Sequence, residues 1–245
     1  MKLFFSPSKG MKYKNHSNLN TDYKKDEKFQ EETFFLVSAI KKFDKEELGK
    51  RLKIKDKILN ETFELYQNYY SQLEREAISL YDGVSFKQLE LDSFTKDNFK
   101  YISENVFIFS ALYGILNACT SIRPYRLDMT NKILDLSPYE FWSSKIENDL
   151  LEYKDEIFIN IASKEFSKIL NRKIFNIIDI EFRQLNGDTL KNISTEAKKG
   201  RGAMLNYLIK NKVDTIEKIK NFSNLGYVFS KELSSNKEFI FIKSN

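Results

Sequence analysis

No apolar run in this chain is longer than one strand or two turns of helix. The longest, residues 34–40 and 106–111, fall far short of the ~18 apolar residues that a membrane-spanning helix requires. A chain of 245 residues built this way buries its apolar residues only by packing many short elements against one another, as a layered α and β domain does. The material is ample: 41% of the residues are apolar, with 21 Phe and 13 Tyr, which sets the chain apart from disordered sequences. The start, Met1-Lys2-Leu3-Phe4-Phe5-Ser6-Pro7, runs straight into charged residues and lacks the apolar region and cleavage site of a secretory signal. A cytoplasmic protein with no membrane partner is the expectation.

Local patterning orders the elements. Residues 2–5 read as a short buried strand ended by Ser6-Pro7, and residues 8–26 as a polar loop. Phe29, Thr33, Leu36, Ile40 and Phe43 recur at helical spacing. Asp44 with Glu47 has the pattern of a capping box, and Ile54, Ile58, Leu65 and Tyr69 mark a further helix. Residues 77–81 read as a strand running into Asp82-Gly83. Thr95 caps a helix that leads to the strand 106–111, closed by Tyr113-Gly114. Ser137-Pro138 opens a helix with Tyr139, Trp142, Ile146 and Leu150 on one face, and residues 156–161 and 164–170 read as strand and short helix. Ile174, Ile178, Ile180 and Phe182 oppose Asp179, Glu181 and Arg183, the alternation of a half-buried strand, and Asn186-Gly187 turns it into a hairpin with residues 189–193. Ser194 is expected to cap a helix to about residue 211, Asp214 and Glu217 a second short one, and residues 227–232 and 238–242 close the chain as a hairpin. With no internal repeat and no Pro-, Gly- or Ser-rich linker, the fold class is α+β, a single domain over residues 1–245 with a mixed α/β sheet flanked by helices.

Composition removes whole classes of chemistry. The chain has one histidine, His16, and one cysteine, Cys119. A Ser-His-Asp or Cys-His site needs a well-placed histidine, and His16 sits in a polar loop, where it reads as solvated. Structural zinc and Glu-x-x-His di-iron sites lack their ligands. Cys119 cannot form an internal disulfide and reads as a small buried thiol. There is neither a P-loop nor a G-x-G-x-x-G, and no metal or cofactor is expected. Function is left to Lys, Arg, Ser, Tyr and carboxylates.

Those residues gather on four breaks in the chain. Ser6-Pro7-Ser8-Lys9-Gly10 follows the first strand, and is either an anion-holding turn or an ordinary strand end. Arg123 and Arg126 flank a Pro124-stiffened turn, with Tyr125 between them placed to stack on a base. Arg126 and Asp128 share one side of an extended segment, as a structural pair or as a ligand clamp. Ala197-Lys198-Lys199-Gly200-Arg201-Gly202 puts two glycines into a helix at a cost of about 1 kcal/mol each, which signals close backbone approach either to a partner or to another element. Finally, Lys198, Lys199, Arg201, Lys210, Lys212, Lys218 and Lys220 outnumber Glu196, Asp214 and Glu217 between residues 194 and 222, in a chain whose whole net charge is +5. Helix, tight turn and second helix there read either as a helix-hairpin-helix gripping a duplex by its phosphates or as a helical pair with a solvated basic face.

These pieces occur in a recognisable order. Ser6-Pro-Ser-Lys9, Ala111-Leu-Tyr-Gly-Ile-Leu116, Pro124-Tyr-Arg-Leu-Asp-Met129, Tyr139-Glu-Phe-Trp142, Asn160-Ile-Ala-Ser163, Ala197-Lys-Lys-Gly-Arg-Gly202, Gly226-Tyr-Val-Phe229 and Ser234-Ser235 resemble the YaaA family of peroxide-stress proteins from residue 2 to about 243. The resemblance implies a cytosolic mixed α/β domain and resistance to hydrogen peroxide through lower free iron and protection of DNA. It also implies DNA binding through a positive cleft and a helix-hairpin-helix-like element. Lys9, Arg126, Lys198, Lys199 and Arg201 fall on the family's motif residues. The chain departs from the family at Asn117-Ala118, where an Arg- or Lys-Pro pair is usual, and at Leu80-Tyr81-Asp82-Gly83, which lacks a Lys. The first functional expectation is therefore sequence-independent binding of duplex or branched DNA. The alternative is an enzyme acting on a nucleotide or other small anion held by Ser6, Lys9, Tyr125, Arg126 and Asp128. No residue pattern identifies a reaction, and binding is favoured over catalysis.

Overall fold

The computed structural model describes residues 1–14, 16, 21–186 and 189–243. Strand β1 (Lys2–Phe5) is followed, after a long connection, by helices α1 (Gln30–Lys41), α2 (Lys45–Leu52) and α3 (Asp56–Gln67). Helix α1 buries Thr33, Leu36, Val37 and Ile40, the face that the spacing predicts. Asp44 accepts the Glu47 N–H at 2.8 Å and starts α2. Helix α3 is rotated from expectation: it buries Thr62 and Tyr66, and Ile58 is exposed.

After the two-residue strand β2 (Arg75–Glu76), the segment expected as a strand forms one helical turn, α4 (Ala77–Leu80). The cause is long-range. The Ala77 and Ile78 N–H groups donate to the Thr120 and Ala118 carbonyls at 2.8 and 3.0 Å, and all four residues are buried, so there is no exposed face for a strand to show. Helix α5 (Lys96–Asn105) opens on a capping box of Thr95 and Asn98 and leads into β3 (Val106–Ser110), β4 (Gly114–Asn117) and β5 (Ser121–Ile122), the last antiparallel to β2. Ser137 and Glu140 form a second capping box, with Pro138 as the first helical residue of α6 (Pro138–Leu150).

Then come β6 (Ile157–Asn160), α7 (Lys164–Ser167), β7 (Asn176–Asn186) and β8 (Thr189–Lys191). Strands β7 and β8 pair antiparallel as expected; the Gly187 turn between them lies outside the described residues. Helix α8 (Ser194–Lys210) begins at Ser194 itself, with no side-chain cap. Thr215, not Asp214, precedes α9 (Ile216–Lys220), and Asp214 pairs with Lys218 instead. Strands β9 (Tyr227–Phe229) and β10 (Glu238–Lys243) form the closing antiparallel hairpin.

Among the described residues the main sheet has eight strands, ordered β4-β3-β1-β6-β7-β10-β9, with β8 alongside the end of β7. Strands β3, β1, β6, β7 and β10 run parallel, and β4 and β9 are antiparallel at the edges. This is a mixed α/β sheet, more strongly parallel than an α+β reading implies. Parallel strands covered on both faces read as unbroken apolar runs, which explains Leu3-Phe4-Phe5 and Val106-Phe107-Ile108-Phe109. Strand β7 was expected half-buried. That holds only in part: on its polar side Asp179 and Arg183 keep partial exposure, but Ile177 and Glu181 are buried, and α8 packs against the strand. One apolar core runs from Leu3 to Phe241. No helix among the described residues is long and apolar enough to cross a membrane.

Candidate functional site

The chain leaves β1 towards β3 on one side and leaves β6 towards β7 on the other. Neighbouring parallel strands whose connections part in this way open a crevice beyond their carboxyl ends, where α/β sheets place their ligands. A cleft of about 360 Å³ lies there. Its walls are Ser6 to Lys9 after β1, Gly83 to Phe86, Tyr125 to Asp128, Ile161, Ser163, Glu165 and Phe166 after β6, and Lys198 and Arg201 from α8.

Backbone and hydroxyl bonds fix the frame. Ser6 Oγ accepts the Ser163 N–H at 2.8 Å, joining the two strand ends. Ser8 Oγ donates to the Asp82 carbonyl and accepts the Gly10 N–H. Both hydroxyls thus pin loops together. The Arg123–Asp128 turn is anchored in a tyrosine cluster. Tyr113 Oη accepts the Arg123 N–H at 2.9 Å and contacts the Tyr69 hydroxyl. Tyr66 donates to the Arg126 carbonyl at 3.0 Å, and the Tyr125 hydroxyl lies 2.8 Å from both Tyr81 Oη and Ser110 Oγ. Tyr125 is only 5% exposed and sits edge-on to Tyr81 and Tyr113. That corrects the expectation that it stacks on a base: its ring is part of the core.

The expected cations divide. Lys9 pairs with Asp128 at 2.5 Å across the mouth of the cleft, so the partner of Asp128 is Lys9 and not Arg126. Arg126 and Lys198 line the cleft, and neither pairs with a carboxylate among the described residues. Arg201 is buried at the floor beside Glu181, 3.6 Å away, and its Nε has no acceptor. Burial lowers its pKa from the ordinary guanidinium value, and Glu181 opposes that shift. The remaining cations lie elsewhere. Arg123 pairs with Glu74 at 2.9 Å on the far side of the turn, Lys199 with Glu196 at 2.7 Å, Lys210 with Glu90, Lys212 with Asp97 at 3.3 Å and Lys218 with Asp214 at 2.7 Å. Lys220 lies 5.2 Å over the Phe239 ring.

The two glycines of α8 serve internal approach. A Cβ on Gly202 would fall 2.0 Å from the Ser85 carbonyl oxygen, and one on Gly200 2.5 Å from the Phe182 ring. Close contact with Ser85 is what places Lys198 and Arg201 at the cleft. Residue types alone did not reveal Ser85, Ser163 or Glu165 as cleft residues, nor Glu181 as the partner of Arg201. For Glu181 no local signal existed, since it alternates with apolar residues just as Asp179 and Arg183 do.

His16 is packed rather than solvated, its Nδ1 3.0 Å from Asp92. Cys119 is buried, and burial, helped by the charge of Glu76, pushes its thiol up to about 12. A thiol of that kind carries almost no thiolate at neutral pH, so a thiol-specific alkylating reagent is expected to modify Cys119 only after unfolding. Burial likewise raises Tyr125 to about 12. The sign follows from linkage: between the ordinary values near 9–10 and about 12 the unfolded chain loses these protons first, so stability falls as pH rises. An alkaline titration of the melting temperature should decline from about pH 9 upward. A flat profile to pH 12 would contradict the burial of both groups.

The sequence profile of the family described as "Peroxide stress protein YaaA" matches residues 1–233. A UPF0246 protein of Fusobacterium nucleatum is 40% identical over 249 aligned positions, covering all of both chains. A UPF0246 protein of Finegoldia magna is 35% identical, covering all of this chain and 98% of the relative. One from Crocosphaera subtropica is 35% identical, covering 88% of this chain and 90% of its own.

Proposed function

Because the chain belongs to the YaaA family of peroxide stress proteins, we propose that it protects against peroxide by holding backbone phosphates of DNA in the cleft beyond β1 and β6. The observation that carries this reading is convergence. Three segments far apart in sequence bring Lys9, Arg126, Lys198 and Arg201 to one cleft, and two of these cations have no carboxylate partner there. A guanidinium and an ammonium lining one cleft supply the charge and donors that a phosphate takes. The cleft is favoured over the α8–α9 pair as the DNA contact. Helix α8 is buried along much of its length, α9 is five residues long, and Lys210, Lys212 and Lys218 are occupied by carboxylates. The lowering of free iron that the family resemblance implies is then a consequence of what the protein holds, not of a redox centre.

Contacts to phosphates alone make binding insensitive to sequence and sensitive to salt, with a slope of about −0.9 per phosphate in log K against log salt. Two or three phosphates at the cleft give a slope of about −2 to −3. Fluorescence anisotropy with duplex, junction and single-stranded probes measures it. The Arg126→Ala/Lys198→Ala variant should bind at least ~10-fold more weakly with a flatter slope, and Lys212→Ala/Lys218→Ala should bind as the parent does. Absence of binding to all three probes at low salt, or loss only in the second variant, would sink the reading.

The size and place of the cleft favour a second reading, an anionic small molecule such as a nucleotide, since pockets of this order at such a crevice hold small ligands. Ser6, Lys9, Arg126 and Asp128 would surround it. Lys9 is largely exposed and faces a carboxylate, a setting that suits holding charge rather than acting as a base or nucleophile. A mononucleotide that raises the melting temperature and displaces DNA would favour this second reading.

A further inference from the structure

The Pro124 turn that sends Arg126 into the cleft sends Arg123 into a second, larger cavity of about 520 Å³. Its walls come from residues 24–34, from Tyr69, Tyr70 and Glu74, and from Ser121 beside Arg123. Arg123 pairs with Glu74 and lies 5.8 and 5.9 Å from the centres of the Tyr69 and Tyr70 rings. Its Nε is buried and meets no acceptor among the described residues. Glu27, in the same cavity, keeps its Oε1 buried without a donor. The nearby Thr33 hydroxyl donates to the Leu112 carbonyl at 3.4 Å. Glu27 and Arg123 interact through charge, yet Arg123's ion partner is Glu74. One cavity therefore holds an unused buried donor and an unused buried acceptor. Each is unfavourable as it stands.

The rim narrows the choice of ligand. Phe34 is 60% and Tyr70 47% exposed, and their rings lie 6.1 Å apart. At that distance they touch one another and leave no slot for a base, but their faces suit a cation. An amine alone would leave Arg123 Nε unpaired, and an anion alone would leave Glu27 Oε1 unpaired. A ligand with both charges serves both. Lys24 and Lys25 also line the cavity, and so do Asp26 and Glu31, so its wall carries both signs of charge, as a zwitterion requires.

We propose that this second cavity binds a small zwitterion of the α-amino acid class, its ammonium on Glu27 beneath the Phe34 and Tyr70 rings and its carboxylate on Arg123 Nε.

Thermal-shift and calorimetric titration of the full chain with the common α-amino acids tests it, each beside its amine-only and carboxylate-only analogues. At least one amino acid should raise the melting temperature, with both analogues weaker by about 10-fold or more. Glu27→Gln keeps the shape, removes the charge, and should weaken binding by a similar factor. Phe34→Ala, on an exposed side chain, should weaken binding while leaving the melting temperature of the free protein unchanged. Arg126→Ala should bind the amino acid normally, so this site and the phosphate cleft stand or fall separately. No shift with any amino acid at ~10 mM, or full affinity in Glu27→Gln, would overturn the proposal and leave the two buried atoms to water.

Discussion

Gly202→Ala is expected to destabilise the protein strongly, although helix propensity alone predicts the reverse. In an exposed helix Ala is the better residue by about 1 kcal/mol. In α8 the added Cβ would lie 2.0 Å from the Ser85 carbonyl oxygen and 2.8 Å from its carbon. Those are backbone atoms and cannot rotate aside, so α8 or the Ser85 loop must move. Overpacking of this kind typically costs about 1–3 kcal/mol, occasionally more, and a clash with main chain belongs at the upper end. A net loss of about 2 kcal/mol corresponds to roughly 4–8 °C in melting temperature at this chain length. Because Ser85 also lines the cleft, DNA binding should weaken with it. Gly200→Ala, facing the Phe182 ring at 2.5 Å, should cost less, since a ring can tilt. A Gly202→Ala protein as stable as the parent would mean that α8 does not approach Ser85 so closely.

The second large effect concerns the cleft floor. Arg201→Met removes the closer cationic partner of a buried carboxylate, leaving Glu181, among the described residues, with Lys164 at 4.0 Å. Breaking a buried pair costs about 3–5 kcal/mol, and replacing both partners by apolar residues is often neutral. The 3.6 Å separation and the unpaired Arg201 Nε describe a pair of imperfect geometry, so the single variant should fall near the lower figure. Glu181→Leu/Arg201→Met should recover most of the loss, a coupling that a double-mutant cycle reads directly. DNA affinity should not recover, because on the proposed reading the guanidinium is kept for the ligand. If the double variant binds DNA as the parent does, Arg201 is a structural residue only. If the single variant is as stable as the parent, Glu181 does not depend on it.

Much of this site was legible because it rests on short-range geometry. Arg126 and Asp128 are two residues apart in an extended segment and share a side, as expected. Arg123, which the sequence groups with Arg126, instead lines the second cavity. Lys198 and Arg201 are three apart on α8 and reach the cleft together, whereas Lys199 is turned about 100° away and pairs with Glu196. The basic character between residues 194 and 222 was equally plain, but its meaning was not. Glu90 and Asp97, which hold Lys210 and Lys212, lie about a hundred residues upstream, and no local pattern announces them.

The same division runs through the fold. Thr95 with Asn98, and Ser137-Pro138 with Glu140, specify helix starts within one turn of chain, and they appear where expected. Residues 77–81 do not follow their apolar pattern, because the Thr120 and Ala118 carbonyls accept their N–H groups. The short apolar runs determined a layered α and β protein, since runs of that length can be buried only by neighbours. Which runs became neighbours was a tertiary decision. The placement of β1 beside β6, with their connections leading opposite ways, makes the cleft. Whether a cation there is free or paired depends on carboxylates that arrive from distant parts of the chain.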